Sequence, residues 1–217
     1  NIAMKKILKT RAILLGMVLF STCLSAQTNE WKTATSKDGK VMAKYNFSTR
    51  INENGEKAPV VETIATTIEH IPIENAVLLM KDISKHKDFR GEKSSELVET
   101  ISNNEWIIYY FNGKSLIAPS VDGSYIMTFE EDKKNKTATF TIMADPTLVK
   151  ETDASRITYA KEIYSFKELH GDQLEITIKT TVSPGFKVPS VLMKKAFPKK
   201  IFENMNKFVV LSKAEKR

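Results

Sequence analysis

From Lys40 to Ile51 apolar and polar side chains alternate. Val41, Ala43, Tyr45, Phe47 and Ile51 fall on one face, with Lys44, Asn46, Ser48 and Arg50 on the other. A period of two describes a half-buried strand. Val60 to His70 repeats the pattern, with Ile64 and Ile68 set against threonines, and Asn52-Glu53-Asn54-Gly55 between the two runs is turn chemistry. Together they predict a hairpin. After Pro72 the period changes. Ala76, Val77, Met80 and Ile83 recur at three and four, which predicts a helix from Ile73 to about Lys87 with Glu74 favourably placed in its first turn. Strand signals then return over Glu96–Ile101, Glu105–Asn112, Ser124–Glu131, Thr137–Ala144, Ile157–Leu169 and Leu174–Val182. Asn103-Asn104, Asp132–Asn135 and His170-Gly171-Asp172 punctuate them as turns. Near the carboxy terminus Leu192, Phe197, Ile201, Met205, Phe208 and Val209 lie at roughly helical spacing, so a helix is expected over residues 189–212 despite Pro198 inside it.

Two strands, a helix, a long antiparallel meander and a terminal helix make an α+β chain. An alternating sheet has one apolar face that must be covered, and only the two helices are available. The terminal one, with its broad apolar stripe, is expected to close the concave side of a curved sheet. Trp106-Ile107-Ile108-Tyr109-Tyr110-Phe111 is apolar on both faces, which predicts a central strand covered on both sides.

The first residues read differently. Lys5, Lys6, Lys9 and Arg11 lead into an apolar run from Ala12 to Leu19, and small residues follow at Ser21, Thr22, Ser25 and Ala26. This is the order of a secretory leader, and the run is short for a membrane span. Cleavage is expected after Ala26, giving a mature chain of residues 27–217 that is periplasmic or secreted. Asn1, Ile2 and Ala3 precede the first start residue, Met4, and are not read as native. A competing reading makes Cys23 a lipid-modified first residue, although Phe20-Ser21-Thr22 matches a lipobox poorly. Removing four positive charges and no acid takes the net charge from +7 to +3, which is no footprint for nucleic acid. Cys23 is the only cysteine, so the mature domain must rely on its core rather than on disulfides.

Candidate chemistry is sparse. His70, His86 and His170 form no cluster at metal-ligand spacing and read as surface residues, so no metal is expected. No nucleophile elbow, phosphate loop or dinucleotide fingerprint occurs, so no cofactor is expected. Glu130-Glu131-Asp132 precedes Lys133-Lys134 and reads as a solvated hairpin. The inward polar groups expected are Tyr45, Tyr110, Tyr125 and Asp122, with tyrosines serving as anchors more often than as acids.

The order of these segments resembles that of the START lipid-transfer domains, within the helix-grip superfamily of birch-allergen-like and polyketide-cyclase-like proteins. Ile71-Pro72-Ile73-Glu74-Asn75-Ala76 with the helix ending in His86-Lys87-Asp88-Phe89 resembles the family's first long helix. Trp106–Phe111 followed by Ala118-Pro119-Ser120-Val121-Asp122 resembles its strand and Pro-rich loop. Tyr159–Leu169, Gly171-Asp172, Ile176–Thr181 and Ser183-Pro184-Gly185 resemble its last strands, and Val188-Pro189-Ser190-Val191-Leu192-Met193 the opening of its terminal helix. The likeness runs from about Trp31 to Lys213. Family members often carry Arg-Asp just after the Pro-rich loop, where this chain has Gly123 and Ser124, which puts the polar part of ligand recognition in doubt.

The resemblance implies a single helix-grip domain, a curved antiparallel sheet wrapped around a long carboxy-terminal helix with an internal apolar cavity. The cavity would be lined by Tyr45, Ile64, Ile108, Tyr110, Ile117, Met127, Ile142, Ile178 and Val182 from the sheet side. Leu192, Met193, Phe197, Ile201 and Met205 would line it from the helix. Ala118, Pro119, Gly185, Pro189 and Pro198 would gate it, Pro198 by removing one helical hydrogen bond and kinking the helix. The implied function is non-catalytic binding or transfer of a hydrophobic small molecule, a lipid by class, by a monomer. Lys187, Lys194, Lys195, Lys199 and Lys200 are expected to form a solvated face or to touch an anionic membrane transiently. A helix-grip enzyme acting on an apolar substrate and an interaction domain with a collapsed cavity are the alternatives.

Overall fold

A computed structural model describes residues 30–114, 119–150, 152–170, 172–184 and 190–215, with backbone alone for 190–196. Trp31–Arg217 forms one compact unit. Its first strands are β1 (Lys32–Thr35), β2 (Met42–Ile51) and β3 (Lys57–His70). The turn between β2 and β3 is set by Asn52, whose side-chain oxygen accepts from the amides of Asn54 and Glu56. Gly55 closes the turn at φ 77°, a backbone state that favours glycine.

Helix α1 (Ile73–Lys81) follows Pro72 directly, with Glu74 in its first turn. The single helix expected to reach Lys87 is instead broken. Asp82 leaves the helical backbone at ψ 83°, and its carboxylate takes the Ser84 hydroxyl at 2.6 Å. A 3₁₀ turn (Ile83–Lys85) and a short helix α2 (His86–Arg90) follow, and Gly91 ends α2 in the left-handed region at φ 72°. This break turns His86 and Phe89 into the interior rather than along a surface.

The meander continues with β4 (Ser94–Ser102), β5 (Glu105–Asn112), β6 (Val121–Asp132), β7 (Thr137–Ala144), the two-residue β8 (Ser155–Arg156), β9 (Tyr159–Glu168) and β10 (Gln173–Ser183). The strands lie in the order β1-β2-β3-β10-β9-β7-β6-β5-β4, with β8 parallel to β6. The other pairs are antiparallel, and β3 joins β10 in a long register running from His70↔Gln173 to Val61↔Val182. Neither β1 nor β8 was expected. Four residues and two carry too little alternation to register.

Helix α3 (Ser190–Ala214) runs through Pro198 without interruption. Its second half is core: Met205, Phe208 and Ser212 are wholly buried. The Phe208 ring meets Phe89 edge-on at 5.1 Å and stacks on Phe166 at 5.7 Å. That end of the helix is also fastened. The Lys85 ammonium reaches Glu215 at 2.6 Å, the Asn75 amide donates to the Glu215 carbonyl, and Lys213 pairs with Glu69.

Two strand readings need correction. In β3 Thr63, Ala65 and Thr67 face in, whereas Ile64, Thr66 and Ile68 face out, Ile68 being 49% exposed. Ile64 lies instead on an outer groove with Met42 and Ile68. The face is decided by registry with β2, where buried Ala43 is opposite Ala65. Strand β5 is not central but next to the edge strand β4; its Trp106, Ile108 and Tyr110 are buried while Ile107, Tyr109 and Phe111 stay half-exposed.

Candidate functional site

Where the first half of α3 crosses the concave sheet, the interior is not filled. Two adjoining spaces of about 290 and 330 Å³ share Glu92, Asn112, Tyr125, Ile157 and Val182 on their walls. The larger lies between the sheet, through Ala65, Tyr164 and Ile178, and the α3 residues Phe197, Ile201 and Met205. The smaller continues past Tyr110 and Pro119. The cavity on the α3 side begins where ring packing changes: Phe208 fills the space between α2 and the sheet, and Phe197, earlier on the same helix, meets Phe47 edge-on at 6.1 Å instead.

The wall where the two spaces meet is polar. Arg90, at the end of α2, sends its guanidinium inward and pairs through two nitrogens with the Glu162 carboxylate from β9. Its Nε donates to Glu92 Oε1 at 3.0 Å, and its plane lies over the Tyr110 ring at 4.1 Å. Burial works against the Arg90 charge, but Glu162 and then Glu92 outweigh it and hold the group protonated. Glu92 is the less satisfied partner. Burial raises its carboxyl to a pKa of about 7 against the pull of Arg90, and its Oε2 is buried with no hydrogen-bond partner. Asn204 Oδ1, from α3 on the same cavity wall, is likewise buried and unpartnered.

Behind Tyr110 stands His86, wholly buried and lowered by that burial to a pKa of about 4. It is neutral at pH 7. The Met80 carbonyl can only accept, so Nε2 carries the proton and donates to it at 2.8 Å. Nδ1 then accepts from the Tyr110 hydroxyl at 2.7 Å. Tyr110 is thus locked in place, and its own hydroxyl is held far above its usual range, first by burial.

The expected lining residues fall into distinct places. Tyr110, Ile178, Val182, Phe197, Ile201 and Met205 border the cavity, as does Pro119. Ile108, Met127 and Ile142 do not; they are in closed core because α1 fills that end of the concave face. Tyr45 is at neither place and packs edge-on against Phe47. Ile117, Ala118, Gly185 and Pro189 lie outside the described residues, as do the side chains of Leu192 and Met193. Asp122 borders the smaller space, but its carboxylate is fully engaged by Arg156, Thr152 and Tyr109. Burial works to raise its pKa, and those donors keep it lowered. Arg156 also caps the carbonyls of Pro146, Val149 and Lys150, so this is a clamp on the loop before β8.

Arg90, Glu92 and Glu162 were missed. Glu162 carried a readable signal, since Ala160, Glu162, Tyr164 and Phe166 share one face of β9 and the other three are apolar or aromatic. His86 was misread as a surface residue. Gly123 carries no side chain where relatives often carry arginine, and a Cβ there would collide with the folded-over Tyr125 ring; the buried guanidinium comes from Arg90 instead. Among the described residues no three His, Cys, Asp or Glu side chains group to hold a metal ion, and no helix is long and apolar enough to cross a membrane.

No family model matches the chain, and neither does any curated protein sequence. Solved structures do. A STAR-related lipid transfer protein from Xanthomonas axonopodis superposes with a TM-score of 0.66 at 20% identity, over 82% of this chain and 96% of its own. Human STARD10 gives 0.65 at 14% identity over 87% and 76%, and human StAR-related lipid transfer protein 5 gives 0.63 at 10% over 96% of each. The chain is therefore, in fold, a START-like α+β helix-grip domain.

Proposed function

We propose that the protein binds a hydrophobic small molecule, a lipid by class, in the cavity between the sheet and the first half of α3, and carries it without chemical change. The observation that carries this reading is the cavity itself: mostly apolar, with a polar patch where its two spaces meet, and large enough for a chain-like ligand. The fold shared with lipid transfer proteins supports it. Entry requires the first half of α3 or the loop at Pro119 to move, and the fastening of α3 at its other end supports a gate that opens at the Phe197 side. Export with cleavage after Ala26, and docking of the lysine-rich start of α3 on anionic lipid, belong to the same proposal; sequencing the amino terminus of protein from its native host tests the former. Native mass spectrometry of gently purified protein tests the central claim. A co-purifying apolar molecule of defined mass is expected, and a bare polypeptide that also fails to take up a fluorescent hydrocarbon would overturn it.

A second reading has one specific observation in its favour. Glu92 titrates near neutrality on a cavity wall, which is the setting of a general acid–base. An enzyme would lose turnover in Glu92→Gln while keeping its affinity for the apolar substrate.

A further inference from the structure

We infer that the polar patch of the cavity is built to receive a neutral hydrogen-bond donor, a hydroxyl in chemical class, and to disfavour a carboxylate. This rests on the binding reading above and adds the identity of the head group. The inference starts from what the cavity wall leaves unmet. Glu92 Oε2 and Asn204 Oδ1 are both acceptors, both buried and both without a partner, and they come from different elements, the turn after α2 and helix α3. Buried polar atoms of this kind are uncommon in folded proteins and need a partner.

The Arg90 and Tyr110 donors are committed elsewhere. Arg90 uses Nε on Glu92 Oε1, Nη1 on Glu162 and Tyr164, and Nη2 on the second Glu162 oxygen. The Tyr110 hydroxyl is held by His86. One buried cation therefore faces two carboxylates, and with Glu92 ionised that group carries a net negative charge. Lys200, where a Cβ at Gly91 would project, is a further cation acting on Glu92 and lines the larger space. It is an exposed side chain, and solvent screens its charge. A ligand carboxylate would set acceptors against acceptors and bring a second negative charge into the same space. A hydroxyl donates to the orphaned oxygens and adds no charge.

Glu92→Gln makes the inference sharp. The glutamine carbonyl must take the place of Oε1, because Arg90 Nε–H needs an acceptor. The amide N–H₂ is then left at the position of Oε2, so a cavity acceptor becomes a donor.

The test uses the purified full chain with diphenylhexatriene, a pure hydrocarbon, as the reporter, displaced at pH 8 by dodecane, dodecanol, dodecanoate and dodecylammonium. Dodecanol is expected to compete about 10- to 100-fold better than dodecanoate, the worth of one hydrogen bond to a charged acceptor, and better than dodecane. In Glu92→Gln that preference should shrink or reverse toward dodecanoate. Failure of diphenylhexatriene to bind would remove the binding reading and this one with it. Binding of the hydrocarbon with dodecanoate equal to or better than dodecanol would overturn the head-group inference alone. Dodecylammonium outcompeting dodecanol would overturn its neutrality. If Glu92→Gln does not fold, the wild-type ranking decides by itself.

Discussion

Replacing Phe208 by alanine removes a wholly buried ring held between Phe89, Phe166 and Tyr164. Phenylalanine-to-alanine changes in packed cores cost about 3–5 kcal/mol, and the edge-on and stacked partners place this site toward the upper end. Phe197 lies on the same stripe of α3, about three turns earlier, but it is half-buried and borders the cavity. Its removal enlarges a space that already exists, so the cost should be about 1 kcal/mol. In a domain of this size each kcal/mol moves the melting temperature by about 2–4 °C. Phe208→Ala should therefore melt about 10 °C lower, whereas Phe197→Ala should shift by only a few degrees and instead change the affinity for an apolar probe. Circular dichroism melts of both variants, alongside diphenylhexatriene titrations, measure the two effects. Equal thermal losses at the two positions would refute the division of α3 into a core half and a cavity half.

Phe197→Asp puts an unpaired charge on the cavity wall, so probe binding should fall steeply while the sheet signal in circular dichroism persists; normal binding would speak against the gate. Gly123→Ala drives a Cβ into the Tyr125 ring within a sheet, so it should destabilise by about 1–3 kcal/mol in urea denaturation, and a neutral result would mean the ring moves freely. His86 and Glu92 give opposed pH dependences. The unfolded histidine protonates at about 6.5 and the folded one at about 4, so His86 removes stability as pH falls through that window. Glu92 titrates at about 4.5 unfolded and about 7 folded, so it removes stability as pH rises through 4.5 to 7. The two nearly cancel in the wild type between pH 5 and 6.5, whereas Glu92→Gln should show the histidine slope alone and gain stability from pH 5 to 7; an equally flat profile would count against both assignments.

The alternation that predicted the sheet was legible because strand spacing is local. Leu174, Ile176 and Ile178 against Glu175, Thr177 and Lys179 needed no knowledge of a partner. Which face turns inward was not legible in β3, because threonine and isoleucine both suit strands and the choice is made by registry with β2 and β10. The polar patch of the cavity was the least legible part. Arg90 and Glu92 surround a glycine at a helix end, where charge normally signals solvent, and their partner Glu162 lies 72 residues away. Only the third member, isolated on an apolar face of β9, carried a warning. The helix break at Asp82 was hidden by the periodicity of Ala76, Val77, Met80 and Ile83, which continues across the break although the backbone does not.

The pairing of β3 with β10 has a consequence for how the chain acquires its shape. Thr66 and Thr177 touch through their hydroxyls at 3.2 Å although they are 111 residues apart. Strands β4 to β7 and the β9–β10 hairpin can form from neighbours as they emerge, but the first hairpin finds its second neighbour only when the last strand is present. At about 5–20 residues per second, a ribosome exposes the unpaired flank of β3 for roughly 5–20 s before β10 arrives. That flank is rich in threonine and isoleucine and has no charge from Thr63 to Ile68, the kind of edge that recruits other strands. A nascent chain stalled or truncated before Gln173 should therefore aggregate, while one that carries both β10 and the whole of α3 should not, with the β3–β10 seam as the last step in closing the sheet.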